Sequence, residues 1–130
     1  MSTVHNPASI AAPLSHYSHG VKVQPNAEWL YIAGQVGIGP DGKLAEGFEA
    51  QSDIAWTNIG AILEDAGMSW GNLVKINIYL TNPADAGASR TLRDKYLGDL
   101  AKPPAATLAI ISQLANPDFV VEIEGVAAKA

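Results

Sequence analysis

The feature that most constrains this chain is a change of apolar period between residues 47 and 80. Phe48, Ala55, Ile59, Ile62, Leu63 and Ala66 recur at spacings of three and four, which places them on one helical face, and Gly67 follows where a helix must end. From Leu73 to Leu80 the period falls to two. Val74, Ile76, Ile78 and Leu80 then lie on one side, with Lys75, Asn77 and Tyr79 on the other, the pattern of a strand. A helix followed at once by such a strand fits a helix packed on a sheet.

The flanking segments extend this reading. An irregular, proline-containing start precedes a short strand over residues 17–23, which Gln24-Pro25-Asn26-Ala27 breaks. Residues 29–36, rich in aromatic and branched side chains, predict a buried strand in which Gly34 marks a bulge or a close backbone approach. Pro40-Asp41-Gly42-Lys43 supplies a turn. Asn82-Pro83 has the capping chemistry of a second helix running to Leu97, and Pro103-Pro104 forbids its extension. Strands over 105–112 and 119–127 complete the order β-β-α-β-α-β-β, an α+β domain with both helices on one face of a mixed sheet. Val120, Val126, Leu108, Ile110 and Tyr79 are expected partly on the other face, which is then too apolar for water and calls for self-association.

Composition removes several classes of function. At 130 residues the chain has the length of one ordinary domain, 1–130, and buries roughly two-thirds of its unfolded surface without disulfides or metal. It has no cysteine, hence no thiolate nucleophile and no Cys-ligated zinc. Thirteen acidic residues against eight basic give a net charge of −5 with no basic cluster, which disfavours nucleic acid as a partner. The nearly uncharged stretch 52–63 is too short to span a bilayer, and residues 1–13 lack the form of a signal peptide. A cytoplasmic location without membrane contact is the expectation.

Four groups of residues invite chemistry. Glu122 and Glu124, two apart in the last strand, point to the same face about 7 Å apart, either as a solvated pair or, in a covered crevice, as a general base for water. His16-Tyr17-Ser18-His19 gathers a phenol, a hydroxyl and two imidazoles in a loop, enough to position a substrate or water but short of a metal site without added carboxylates. Arg90, Arg93 and Lys102 either bind an organic acid or form the solvated, C-terminal side of a helix. Trp29, Trp56 and Trp70 are scattered and read as core or interface. No Gly-x-Ser-x-Gly elbow is present, and Gly37-x-Gly39 lacks the helix start a phosphate loop needs.

Taken in order, several segments resemble the RidA family of reactive-intermediate deaminases, also called the YjgF superfamily. They are Tyr17-Ser18-His19-Gly20-Val21, Ala33-Gly34-Gln35, Asn58 with Ile62-Leu63-Glu64-Asp65-Ala66-Gly67, Leu73-Val74-Lys75, Tyr79-Leu80-Thr81, Pro104-Ala105 and Val121-Glu122-Ile123-Glu124. The resemblance implies a chorismate-mutase-like α+β fold, a homotrimer with sites in the clefts between subunits, and cofactor-independent, metal-free hydrolysis of small enamines and imines to 2-keto acids and ammonia. By position it makes Glu122 the water-binding glutamate and Tyr17 the site tyrosine. Arg90 falls where a substrate-contacting asparagine is usual and Ala33 where a small hydroxyl residue is common, with Gly34, Ala106 and Leu108 also at the substrate.

One departure matters for chemistry. The family's Pro-Ala-Arg-Ser pattern puts a carboxylate-binding arginine where Pro104-Ala105-Ala106-Thr107 has Ala106. Losing a bidentate charged pair weakens binding by about two orders of magnitude. The leading expectation is a trimeric hydrolase of a small imine, enamine or related unstable metabolite, with Glu122 activating water and Tyr17 orienting it. The alternative is a noncatalytic ligand-binding or interaction trimer of the same fold. A ribonuclease suits the acidic charge least.

Overall fold

The period-two run becomes the strand that organises the sheet. In the computed structural model, which describes residues 2–130, β1 (Ser2–His5), β2 (Gly20–Val23) and β3 (Glu28–Gln35) precede α1 (Phe48–Asp65). Then come β4 (Leu73–Leu80), α2 (Ala86–Leu97), β5 (Ala105–Ile110) and β6 (Val121–Lys129). The main sheet has the order β3-β6-β4-β5. Since β5 is parallel to β4 and the other pairs are antiparallel, the sheet is mixed.

Alternation decides which face is buried. Ile76, Ile78 and Leu80 of β4, Val121, Ile123 and Ala127 of β6, and Ile32 of β3 meet Ala55, Trp56, Ile59 and Leu63 of α1 and Leu97 of α2 in one core. Both helices therefore share the same side of the sheet. The α1 helix stops where Gly67 takes φ +70°. There Met68 N–H reaches Leu63 O (2.8 Å) and Gly67 N–H reaches Glu64 O (2.9 Å), closing a Schellman motif. Trp56, Trp70 and Tyr96 form an aromatic group with centroids 5.3–6.1 Å apart, whereas Trp29 is exposed. Buried Gln51 ties two loops to α1: its amide donates to Ala45 O and Asp118 O (both 3.1 Å) and accepts from Val120 N–H (3.0 Å).

The structure corrects the sequence reading in three places. The supposedly irregular start holds β1, paired antiparallel with β2 in a separate two-stranded sheet, so the order is β-β-β-α-β-α-β-β. Its strand character comes from the partner ladder, which no local pattern reveals. The second helix opens as a 3₁₀ turn, Pro83–Asp85, capped by Asn82 Oδ1 accepting from Ala84 N–H (3.0 Å). Leu108 and Ile110 stand opposite Ile78 and Leu80 in the parallel ladder, on the helix side and not on the second face.

That second face is consequently more polar than expected. Lys75, Asn77, Tyr79, Thr107, Glu122 and Glu124 share it with the expected Val126 and the exposed Trp29 and Tyr31, whereas Val120 packs against the core. Among the described residues no helix is long and apolar enough to cross a membrane.

Candidate active site

Five of the candidate site residues singled out from the sequence meet at the β5 edge of the sheet. Tyr17, Arg90, Arg93, Ala106 and Leu108 line a cavity of about 470 Å³, together with Leu14, Ser15, Ile78 and Thr107. The loop that delivers Tyr17 is fastened on both sides of it. Ser18 is buried, its hydroxyl donates to Pro103 O (2.6 Å), its N–H donates to Pro104 O (3.1 Å), and it bridges in parallel to Ala105 at the start of β5. His16 contributes a ring N–H bond to Leu100 O (3.0 Å), and His19 one to Ala11 O (2.7 Å). A carbonyl only accepts, so each Nε2 carries the proton. Both histidines thus act as loop ties, and among the described residues no cluster has the composition of a metal site. The Tyr17 hydroxyl accepts from Leu14 N–H at 3.2 Å.

The two arginines differ sharply in environment. Arg90 is exposed, but Arg93, one turn on, is 5% exposed. It shares the inner stripe of α2 with Ser89 and Leu97, four residues to either side. The expectation of a solvated helix face holds for Arg90 and fails for Arg93. The cue was present in the sequence, because Arg93 occupies the i+4 position of a stripe that ends in buried Leu97.

Glu122 and Glu124 do share a face, opposite Tyr79 and Asn77 respectively, yet they differ in partners. Glu124 Oε2 accepts from Asn77 Nδ2 and from the Tyr79 hydroxyl, both at 3.0 Å. That bond, with burial and the carboxylate charges behind it, raises the Tyr79 pKa above its ordinary value. Among the described residues nothing hydrogen-bonds or ion-pairs with the Glu122 carboxylate. It stands instead against β3, where a Cβ added at Gly34 would fall 2.4 Å from Glu122 Oε2. The missing side chain of Gly34 is the space the carboxylate uses, and the β3–β6 register shifts between Ile32 and Gln35 at this point. Ala33 beside it is exposed, its carbonyl accepting from Gln35 Nε2 (3.1 Å).

The candidate residues therefore fall into two separate groups. Glu122, Gly34 and Ala33 belong to the β3–β6 side; Tyr17, Arg90, Ala106 and Leu108 belong to the β5 edge. Strand β4 lies between β6 and β5, a separation of about 10 Å across the ladder.

Comparison with known proteins agrees with this architecture. The family model described as Endoribonuclease L-PSP matches residues 8–129. A RutC family protein of Aquifex aeolicus is 38% identical over 90% of this chain and 91% of its own length. The 2-iminobutanoate/2-iminopropanoate deaminase of Mus musculus is 32% identical over 98% of this chain and 88% of its own. Among solved structures, the Rid family protein YyfB of Yersinia pestis superposes with a TM-score of 0.87 at 30% identity, covering 98% of both chains. RidA of an Antarctic Psychrobacter superposes with a TM-score of 0.71 at 35% identity, covering 89% of this chain and 90% of that one. Matches of this breadth in sequence and in fold establish that the chain belongs to the RidA/YjgF family.

Proposed function

We propose that this protein hydrolyses small imines or enamines derived from amino acids to the corresponding 2-oxo acids and ammonia, at a cleft completed by a second copy of the chain in a homotrimer. The observation that carries the reading is the contrast between the paired carboxylates. Glu124 is held by Asn77 and Tyr79, whereas Glu122 is partnerless in the space left by Gly34 and free to take a proton. In the first step Glu122 accepts a proton from water as the water oxygen bonds to the imine carbon, and the C=N electron pair moves to nitrogen. Glu122 then returns that proton to nitrogen. The hydroxyl proton then passes by way of Glu122 to the amino nitrogen, the C–N bond breaks with its electron pair going to nitrogen, ammonia departs, and the oxygen is left as the carbonyl. Tyr17 orients the water and the imine through its hydroxyl. Since Glu122 and Tyr17 belong to separate groups, the water is placed between Glu122 of one copy and Tyr17 of the next. The exposed Trp29 and Tyr31 on the Glu122 face supply apolar surface for that contact. The ribonucleolytic description of the family model fits less well, because a net charge of −5 and two cavity arginines provide few phosphate contacts.

Subunit complementation tests both the chemistry and the shared cleft. Glu122→Gln and Tyr17→Phe proteins should each lose most turnover of a freshly generated 2-imino acid, Glu122→Gln by about a hundredfold or more. Random assembly from equal amounts of the two should recover about one quarter of wild-type activity, since each mixed trimer carries both native residues at one of its three interfaces and about three trimers in four are mixed. Full activity in Glu122→Gln would remove the glutamate from the mechanism. A monomeric protein, or hybrids as inactive as the parents, would remove the shared cleft.

A further inference from the structure

The cavity at the β5 edge has an electrostatic character unlike the rest of the molecule. The chain carries a net charge of −5, yet the residues lining this cavity include Arg90 and Arg93 and no carboxylate. Arg93 is 5% exposed, and among the described residues its Nε and Nη2 are buried without a hydrogen-bond partner. Its ion-pair contact there is Nε to Asp94 Oδ1 at 3.5 Å, with the aspartate half in solvent. A desolvated guanidinium with unfilled donors is costly to keep, and a planar oxyanion with two acceptors removes that cost. The rest of the lining is mixed: Leu14, Ile78, Ala106 and Leu108 give apolar surface beside the hydroxyls of Ser15, Tyr17 and Thr107. A compact anion with a short hydrocarbon tail fits such a site better than a polyanion.

We infer that Arg93, reaching into the cavity from α2, is the carboxylate clamp of this protein, binding the acid group of a small 2-imino or 2-oxo acid in place of the arginine that residue 106 does not supply. The choice of acid rests on the hydrolase reading above; the anion site does not. Ala106 contributes by being small, leaving the β5 wall open to a group arriving from the helix. Arg90, exposed one turn earlier, draws the anion in from solvent.

The test is equilibrium binding, which needs no turnover. Titration calorimetry on the full-length protein uses 2-oxobutanoate, its neutral amide and inorganic phosphate as probes. Wild type should bind the acid at least about tenfold more tightly than the amide and prefer it to phosphate. Arg93→Met should weaken the acid by about ten- to a hundredfold and leave the amide unchanged, and adding Ala106→Arg to it should restore much of the loss. Arg93→Met should also melt no lower than wild type, because it removes a buried cation with unfilled donors; a purely structural arginine would lower the melting temperature and leave acid binding intact. If Arg93→Met fails to fold, Arg93→Lys, which keeps the charge but not the fork, should still weaken the acid. Equal affinity of wild type for acid and amide, preference for phosphate, or acid preference lost in Arg90→Gln but kept in the Arg93 variants would each overturn the assignment. Acid binding through Arg93 without imine turnover would sink the hydrolase reading alone. Turnover with KM unchanged in Arg93→Met would sink the clamp alone.

Discussion

Replacing Gly34 by alanine puts a methyl carbon where the Glu122 carboxylate now stands. An ideal Cβ there lies 2.4 Å from Glu122 Oε2, 2.6 Å from Cδ and 2.9 Å from Cγ. Ordinary contact begins near 3.4 Å, so the carboxylate must retreat by about 1 Å. The backbone does not resist the change, since Gly34 is not among the glycines with positive φ. The obstructed atoms are the far end of a flexible side chain, and alanine also narrows the unfolded ensemble, so stability should change by less than about 1 kcal/mol. Catalysis should not be so tolerant. A general base displaced by about 1 Å loses on the order of a hundredfold in rate. The expected outcome is a folded Gly34→Ala protein with a near-native melting temperature and oligomeric state, whose kcat for a 2-imino acid generated in situ falls about a hundredfold while 2-oxobutanoate still binds. Ammonia release above the uncatalysed rate is the assay, with calorimetry as the binding control. Wild-type kcat in Gly34→Ala would refute the argument, because the carboxylate cannot stay in place beside a new methyl group.

Gln51→Ala should destabilise the protein by about 3 kcal/mol in urea unfolding, because Val120 N–H, Ala45 O and Asp118 O lose their partner at a buried site. Asp53 takes hydrogen bonds from the Tyr96 hydroxyl and Lys95, which hold its pKa below 3.8. A lowered folded pKa stabilises above the unfolded value and is lost as pH falls through the folded one. The stability advantage of wild type over Asp53→Asn should therefore be present at neutral pH and fade below about pH 4 in melts across that range. A constant difference between the two proteins from pH 7 to pH 2 would contradict this.

Periodicity alone determined the elements that carry the fold. The three-and-four spacing of α1 and the two-spacing of β4 are properties of single segments; β4 buries the face its pattern marks, while α1 buries Ala55, Ile59 and Leu63 of its marked face together with Gln51, Ser52 and Trp56 and leaves Ala66 exposed. The common face of Glu122 and Glu124 was legible for the same reason, since a strand alternates whatever surrounds it. Partners were not legible. β1 exists because β2 pairs with it, Leu108 turns toward the helices because β5 registers on β4, and Glu122 differs from Glu124 because Gly34 and Tyr79 come from distant strands. Arg93 shows the same limit: its place on α2 was visible, but only the docking of that helix near Ala106 and Tyr17 takes its guanidinium out of water and makes the residue part of the cavity lining. Sequence determines local period, which costs a segment nothing beyond its own residues to express. Register, desolvation and the matching of donors to acceptors belong to pairs of segments far apart in the chain, and they are settled only when the tertiary structure closes.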